Sequence, residues 1–250
     1  MSAYPHCAVL LIGHGSSKRP GAAASLARHA EALRAMGTFG EVEAACLIGG
    51  SETPAAALAR VTRDQAVVVP MMMCAGWTAR QLIPQALGLD GGTIPARRIV
   101  VCDPLGLHPA FAGLIASRAA DRAAVLGVPA RSVTLLLIAH GSTRSPASQE
   151  ATELQAARIR AMERFRAVTC AYLEQPPRLA DVLTTLVRPV IAVGCFAAPG
   201  HHAIVDSSVV LHKQAQGGVI DLGPIGDDSA IPTLVLDMVA SKLSNRAGVS

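Results

Sequence analysis

Short apolar runs rich in Val, Leu and Ile alternate along the chain with longer Ala-, Leu- and Arg-rich stretches of helical period. That rhythm predicts parallel sheets built from βαβ units. In the first half, Ala8 to Ile12, Ala66 to Val69 and Ile99 to Cys102 read as strands, separated by helical stretches at Ala22 to Met36, Pro54 to Val61 and Thr78 to Leu87. In the second half, Thr134 to Ile138, Val168 to Tyr172, Val190 to Val193 and Val219 to Leu222 read the same way. Their uninterrupted apolar character predicts strands covered by helices on both faces. A helical stretch that starts near His108 is broken by Gly127, Val128 and Pro129, which places the boundary between halves near Leu126 to Arg131. The polar tail from Ser241 to Ser250 is expected to fray.

The two halves echo each other. AVLLIGHGSSKRP at Ala8 to Pro20 returns as TLLLIAHGSTRSP at Thr134 to Pro146, 126 residues later. VVVPMMMCAGW at Val67 to Trp77 returns as VIAVGCFAAPGHH at Val190 to His202, with Gly76 and Gly200 124 residues apart. Pro104 to Gly106 (PLG) returns as Pro224 to Gly226 (PIG), 120 residues apart. Three echoes in one order point to an internal duplication. The fold class is therefore α/β, with two tandem domains at 1–128 and 129–250, each a parallel sheet flanked by helices.

Composition narrows the function classes. Hydrophobic residues are 51% and charged residues 16% of the 250, which excludes a disordered chain. Aromatics are only 3%, leaving almost nothing with which to stack single-stranded bases. The net charge of +4 is spread without a polybasic block, so no general nucleic-acid surface is expected. Of the 22 basic residues 19 are Arg, which suits bidentate contact with carboxylates or phosphates. The apolar stretch Cys7 to Ile12 lacks a basic n-region and is cut off by Gly13 and His14, so neither a signal peptide nor a membrane span is expected and the chain reads as cytoplasmic. Six cysteines stand singly, without CxxC spacing, and read as buried free thiols.

The chemistry gathers at strand ends. His14 and His140 each follow the first strand of their half directly, at the sheet edge where open α/β folds bind ligands. Glu174 follows the second strand of the second half, with Pro176 and Pro177 ending that strand. Gly200, His201 and His202 follow the third, and Asp206 lies one helical turn after His202, where a carboxylate can fix an imidazole tautomer. Two imidazoles and a carboxylate at three strand ends suit a borderline metal or acid/base chemistry. The first half keeps only His14: Thr78 stands for His202, Leu82 for Asp206, and Leu47 to Ser51 contains no carboxylate. Met71, Met72, Met73 and Cys74 read as packing rather than a copper site, because neighbours on a strand point to opposite faces. Trp77 is a candidate cap over an apolar cleft. A hydrolase is disfavoured: no Arg directly precedes either HGS, and there is no G-x-S-x-G.

These residues together resemble the class II tetrapyrrole chelatases of the CbiX type, the sirohydrochlorin cobaltochelatases and ferrochelatases, in their two-half form. The resemblance spans nearly the whole chain, through HGS, a Leu–Glu pair after the second strand, G-x-H-x-x-x-D after the third and P-L-G after the fourth. It implies an enzyme of the lyase class that inserts Co²⁺ or Fe²⁺ into sirohydrochlorin or a related tetrapyrrole of cobalamin or siroheme biosynthesis. The implied fold has two chelatase-like halves about a pseudo-two-fold axis, with the macrocycle in a cleft between them. His140, His202 and Glu174 match the family's active-site set and are the implied metal ligands and catalytic residues. Ser142, Arg144, Gly200 and His14 are expected to line the ligand, with Arg144, Lys18 and Arg19 as clamps for its carboxylates. The first half is then a degenerate copy. Implied partners are the tetrapyrrole and the divalent metal substrate, with no tightly bound cofactor and a monomer or homodimer as the assembly. The rival reading is a non-catalytic tetrapyrrole- or metal-binding paralogue.

Overall fold

The computed structural model describes residues 3–17, 21–89, 98–199, 211 and 218–247. The chain divides into two compact units, Met1–His108 with Ser229–Ser250, and Pro109–Asp228.

The first unit holds a parallel four-stranded sheet of β1 (Tyr4–Gly15), β2 (Phe39–Ile48), β3 (Gln65–Pro70) and β4 (Arg98–Val101), in the order β2-β1-β3-β4. Helices α1 (Gly21–Met36), α2 (Pro54–Arg60) and α3 (Ile83–Ala86) lie between the strands in sequence, α3 entered through a π-helical turn at Thr78–Leu82. The second unit repeats the order as β6-β5-β7-β8, with β5 (Thr134–Ala139), β6 (Ala167–Tyr172), β7 (Val190–Gly194) and β8 (Val219–Pro224). Two further helices, α4 (Pro109–Val125) and α5 (Ala147–Arg160), and the short α6 (Leu179–Thr185) belong to it. The chain closes on α7 (Ile231–Ala247), in the first unit.

The inner strands are the legible ones. Ala8 to Ile12 on β1 and Leu135 to Ile138 on β5 are essentially without solvent exposure, since each strand has a strand on both sides and covered faces. The core of the first unit gathers Leu10, Ile12, Val68, Met72 and Ile83, and that of the second Leu136, Ile138, Leu179, Ala192 and Phe196. Met71 and Met72 are buried, as core packing requires. The edge strand β2 is different. Glu41 and Glu43 interrupt its apolar run; Glu41 accepts from the Thr62 amide at 2.9 Å and pairs with Arg63 at 3.1 Å, while Arg60 donates to both Glu43 and Glu52. An edge dressed with charge resists pairing with another chain. Helix α2 starts where Thr53 accepts from the Ala56 amide at 3.2 Å, with Pro54 in the first turn.

The duplication holds at atomic detail. Arg34 donates from Nε to the Val42 carbonyl at 2.9 Å, and Arg160 to the Val168 carbonyl at 3.0 Å, 126 residues on in both members. Gly106 and Gly226 each donate to the loop after the third strand of their sheet, to Met72 O at 2.9 Å and Phe196 O at 3.0 Å. A Cβ on either would strike the backbone of Met73 or Ala197, which explains the PLG and PIG echo.

The compact units are drawn differently from the repeat, and one expectation changes. The compact units divide at 108/109 and 228/229, whereas the sequence repeat divides at 128/129. Helix α4 follows β4 in sequence but buries Phe111, Leu114, Ile115 and Ala119 and packs on α5 and β7, in the second unit. Helix α7 packs on α1 and β3 through a face containing Ile231, Val235 and Val239. A periodic apolar face says that a helix packs, not on which sheet. Within the second unit, Arg118 holds Asp228 through two bonds, 2.5 and 2.7 Å. The polar tail also differs, since α7 runs on to Ala247 instead of fraying from Ser241. Among the described residues, no helix is long and apolar enough to cross a membrane.

Candidate functional site

His140 leaves the end of β5, the inner strand between β6 and β7, at the carboxyl edge of the second sheet. Its carbonyl accepts from the Glu174 amide at 2.9 Å and the Leu173 amide at 3.2 Å, so the chain leaving β6 is tied to the chain leaving β5. This backbone tie brings the two side chains together. Nδ1 of His140 lies 3.1 Å from the Gly141 carbonyl oxygen and 3.5 Å from Oε2 of Glu174. A carbonyl can only accept, so Nδ1 donates to it, and in the neutral imidazole the lone pair is on Nε2. Both side chains are partly exposed, about 40% for His140 and 50% for Glu174. The sequence-predicted pair is thus assembled in one place, with the imidazole tautomer fixed and a carboxylate beside it.

Gly141 permits the turn. Its φ is +73°, a conformation that favours glycine, and a Cβ there would come within 2.7 Å of Gln175 Cγ and 2.9 Å of Tyr172 Cβ. Tyr172 beneath it is fully buried, and burial pushes its hydroxyl well above the usual phenol range, so it stays neutral. Ser142 accepts from the Arg144 amide at 3.1 Å, which commits its hydroxyl oxygen to the turn, and Arg144 is exposed. Gly200, His201, His202, Asp206, Lys18 and Arg19 lie outside the described residues.

The first half offers a different edge. His14 is exposed at the end of β1, and Ile48, 43% exposed, occupies the register position of Glu174. Trp77 is 60% exposed after β3. A groove of about 750 Å³ between α1, β2 and α2 is lined by Glu31, Arg34, Glu43 and Arg60 and contains none of the predicted site residues. Among the described residues no group of three His, Cys, Asp or Glu side chains could hold a metal ion; the predicted third ligand, His202, is outside that set.

Sequence reasoning missed three polar residues around the His140 loop: Gln175, Ser148 and Gln149. Gln175 is 8% exposed; it accepts from the Ser142 amide at 2.6 Å and donates to Gln149 Oε1 at 2.7 Å, while Ser148 Oγ accepts from the Gly141 amide at 3.2 Å. The signal was present in the repeat. At an offset of 126, Ser148, Gln149, Glu174 and Gln175 face Ala22, Ala23, Ile48 and Gly49.

The chain is similar to known proteins along nearly its whole length. The CbiX family model matches residues 8–122 and again 134–242. A protein of Halobacterium salinarum named as a probable sirohydrochlorin cobaltochelatase is 27% identical over 223 residues, 80% of this chain and 74% of its own. The solved structure of CbiX, the terminal enzyme of siroheme biosynthesis in denitrifying bacteria, superposes with a TM-score of 0.73 at 28% identity, over 93% of this chain and 98% of its own. A multi-domain protein from Deinococcus radiodurans, with structural similarity to chelatases and two additional novel domains, superposes with a TM-score of 0.77 at 26% identity. It is matched over 96% of this chain, which spans only 55% of the Deinococcus chain. The two family matches coincide with the two halves of the repeat, and on that evidence this chain belongs to the CbiX family.

Proposed function

We propose that this protein is a chelatase that inserts Co²⁺ or Fe²⁺ into sirohydrochlorin or a closely related tetrapyrrole, and that the second half carries the reaction. The observation that supports this reading most is the His140–Glu174 pair, with Nδ1 turned to the Gly141 carbonyl and a carboxylate oxygen 3.5 Å away.

Insertion exchanges two pyrrole protons for one divalent ion, while the ion gives up its water. Nε2 of His140 and the carboxylate of Glu174 supply two donors for the metal substrate, and His202 is the proposed third. Neutral imidazole binds borderline divalent ions and, near neutral pH, also accepts a proton. Once the ion passes to the ring nitrogens, the Nε2 lone pair is available to one departing pyrrole proton, and the other leaves to water. The resulting imidazolium would be compensated by Glu174 on its Nδ1 side. In this scheme Arg144, exposed on the loop after His140, meets a rim carboxylate of the tetrapyrrole. Ser142, Gly200 and His14 are proposed as further lining positions. Both metals stand in the proposal because histidine and carboxylate donors accept either, in an order set mainly by the ion itself.

Absorbance-monitored insertion of Co²⁺ and of Fe²⁺ into sirohydrochlorin by the purified protein tests the reading. His140→Ala, Glu174→Gln and His202→Ala are each expected to lose most of the rate. Full activity in His140→Ala together with loss in His14→Ala would move the site to the first half. Sirohydrochlorin binding without metal insertion would replace the enzyme with a carrier.

A further inference from the structure

The loop that carries His140 has no regular structure of its own between β5 and α5, so its shape must come from whatever it is tied to. On one side the ties are backbone: the His140 carbonyl accepts from the Leu173 and Glu174 amides. On the other side they are side chains. The Gly141 amide donates to Ser148 Oγ at 3.2 Å and the Ser142 amide donates to Gln175 Oε1 at 2.6 Å. The far end of the Gln175 amide donates to Gln149 Oε1 at 2.7 Å, in the first turn of α5. One nearly buried side chain therefore joins the residue after Glu174, the loop after His140 and the start of α5.

The first half shows what the loop does without it. Gly49 holds the Gln175 position, and a Cβ on Gly49 would run into the backbone of Ser16 and come within 2.8 Å of the Ser17 amide nitrogen. There the HGS loop closes directly onto residue 49. In the second half the Gln175 side chain lies against the loop instead: it accepts from the Ser142 amide, and a Cβ built on Gly141 would come within 2.7 Å of its Cγ. All four polar positions change together between the copies: Ser148, Gln149, Glu174 and Gln175 against Ala22, Ala23, Ile48 and Gly49. The copy with the carboxylate is the copy with the brace.

We propose that Gln175 is a positioning residue of the insertion site, setting the height and pitch of the His140–Gly141–Ser142 loop so that the imidazole keeps Nδ1 on the Gly141 carbonyl and Nε2 toward the metal substrate. This rests on the reading of His140 and Glu174 given above. Gln175 touches neither the metal nor the macrocycle in this scheme, so its removal acts on metal affinity and turnover and leaves the KM for the tetrapyrrole in place. Outer partners of metal-binding histidines are typically worth about 10- to 100-fold.

The test compares the wild type with Gln175→Leu, which keeps bulk and removes both hydrogen bonds, and Gln175→Glu, which keeps the acceptor for the Ser142 amide. Gln149→Leu removes the outer partner alone. Two quantities are read: Co²⁺ affinity by calorimetry in the absence of tetrapyrrole, and kcat and KM for Co²⁺ insertion into sirohydrochlorin. Gln175→Leu is expected to weaken Co²⁺ binding and lower kcat by about 10- to 100-fold, with KM for sirohydrochlorin unchanged. Gln175→Glu should recover most of the loss, and Gln149→Leu should fall between. If Gln175→Leu does not fold, the same ordering of Gln149→Leu below wild type carries the test. Wild-type Co²⁺ affinity and kcat in Gln175→Leu, with both lost in His140→Ala and Glu174→Gln, would overturn the positioning role alone. Wild-type values in His140→Ala and Glu174→Gln would overturn the site itself.

Discussion

Gly141→Ala probes the turn on which the proposed site depends. Two costs combine at this position. An alanine forced to φ +73° pays roughly 1–2 kcal/mol for the left-handed backbone. Its Cβ would also sit 2.7 Å from Gln175 Cγ and 2.9 Å from Tyr172 Cβ, and relieving such overpacking costs about 1–3 kcal/mol more. Gly127 in the same unit supplies the control, with φ +68° and nothing within 4 Å of a built Cβ, so Gly127→Ala carries the backbone cost alone. The expected destabilisation is therefore about 2–5 kcal/mol for Gly141→Ala against about 1–2 kcal/mol for Gly127→Ala. Urea unfolding followed by circular dichroism, both variants beside the wild type, reads the difference. Insertion assayed well below the unfolding midpoint should fall by about 100-fold in Gly141→Ala only, as expected for a displacement near 1 Å of a reacting group. Equal stability of the two variants, with full insertion in Gly141→Ala, would refute the steric account of the loop.

Other expectations follow from the same physics. Burial pushes the Cys7 and Cys102 thiols up to about 11, and raises Cys46, Cys74, Cys170 and Cys195 as well. Native protein should therefore react slowly with Ellman's reagent at pH 8, with Cys74 as the most accessible thiol, and yield all six only after denaturation. The unfolded chain loses these thiol protons near pH 9 while the folded one keeps them, so the urea midpoint should decline as pH rises from 9 toward 11 and stay level in this respect below 9. Asp228→Asn breaks the two-bond pair with Arg118 and should cost about 1 kcal/mol, a loss that 0.5 M salt in the wild type partly reproduces.

The sequence disclosed most where the physics is local. An inner strand with both faces covered must be apolar throughout, so β1 and β5 and the HGS turns beyond them stood out, and the duplication followed. The edge strand β2 was hidden by its own function: Glu41 and Glu43 face Arg60 and Arg63 and break the apolar run that marks a strand. The packing partners of α4 and α7 were hidden for another reason, because an amphipathic face carries no address. The closeness of His140 and Glu174 was legible since both sit at strand ends, where position is fixed by the sheet. Gln175 was not, since a lone glutamine after a strand is unremarkable until the loop it supports is seen. The repeat contained the missing clue, in the coordinated change of four positions to Ala22, Ala23, Ile48 and Gly49.

The second half is proposed to hold the metal substrate at His140 and Glu174. A crystal structure of the protein with Co²⁺ tests it most directly. The ion is expected within coordination distance, about 2 Å, of His140 Nε2 and a Glu174 carboxylate oxygen, with Nδ1 still on the Gly141 carbonyl. An ion bound at His14 instead, with His140 and Glu174 uninvolved, would contradict it.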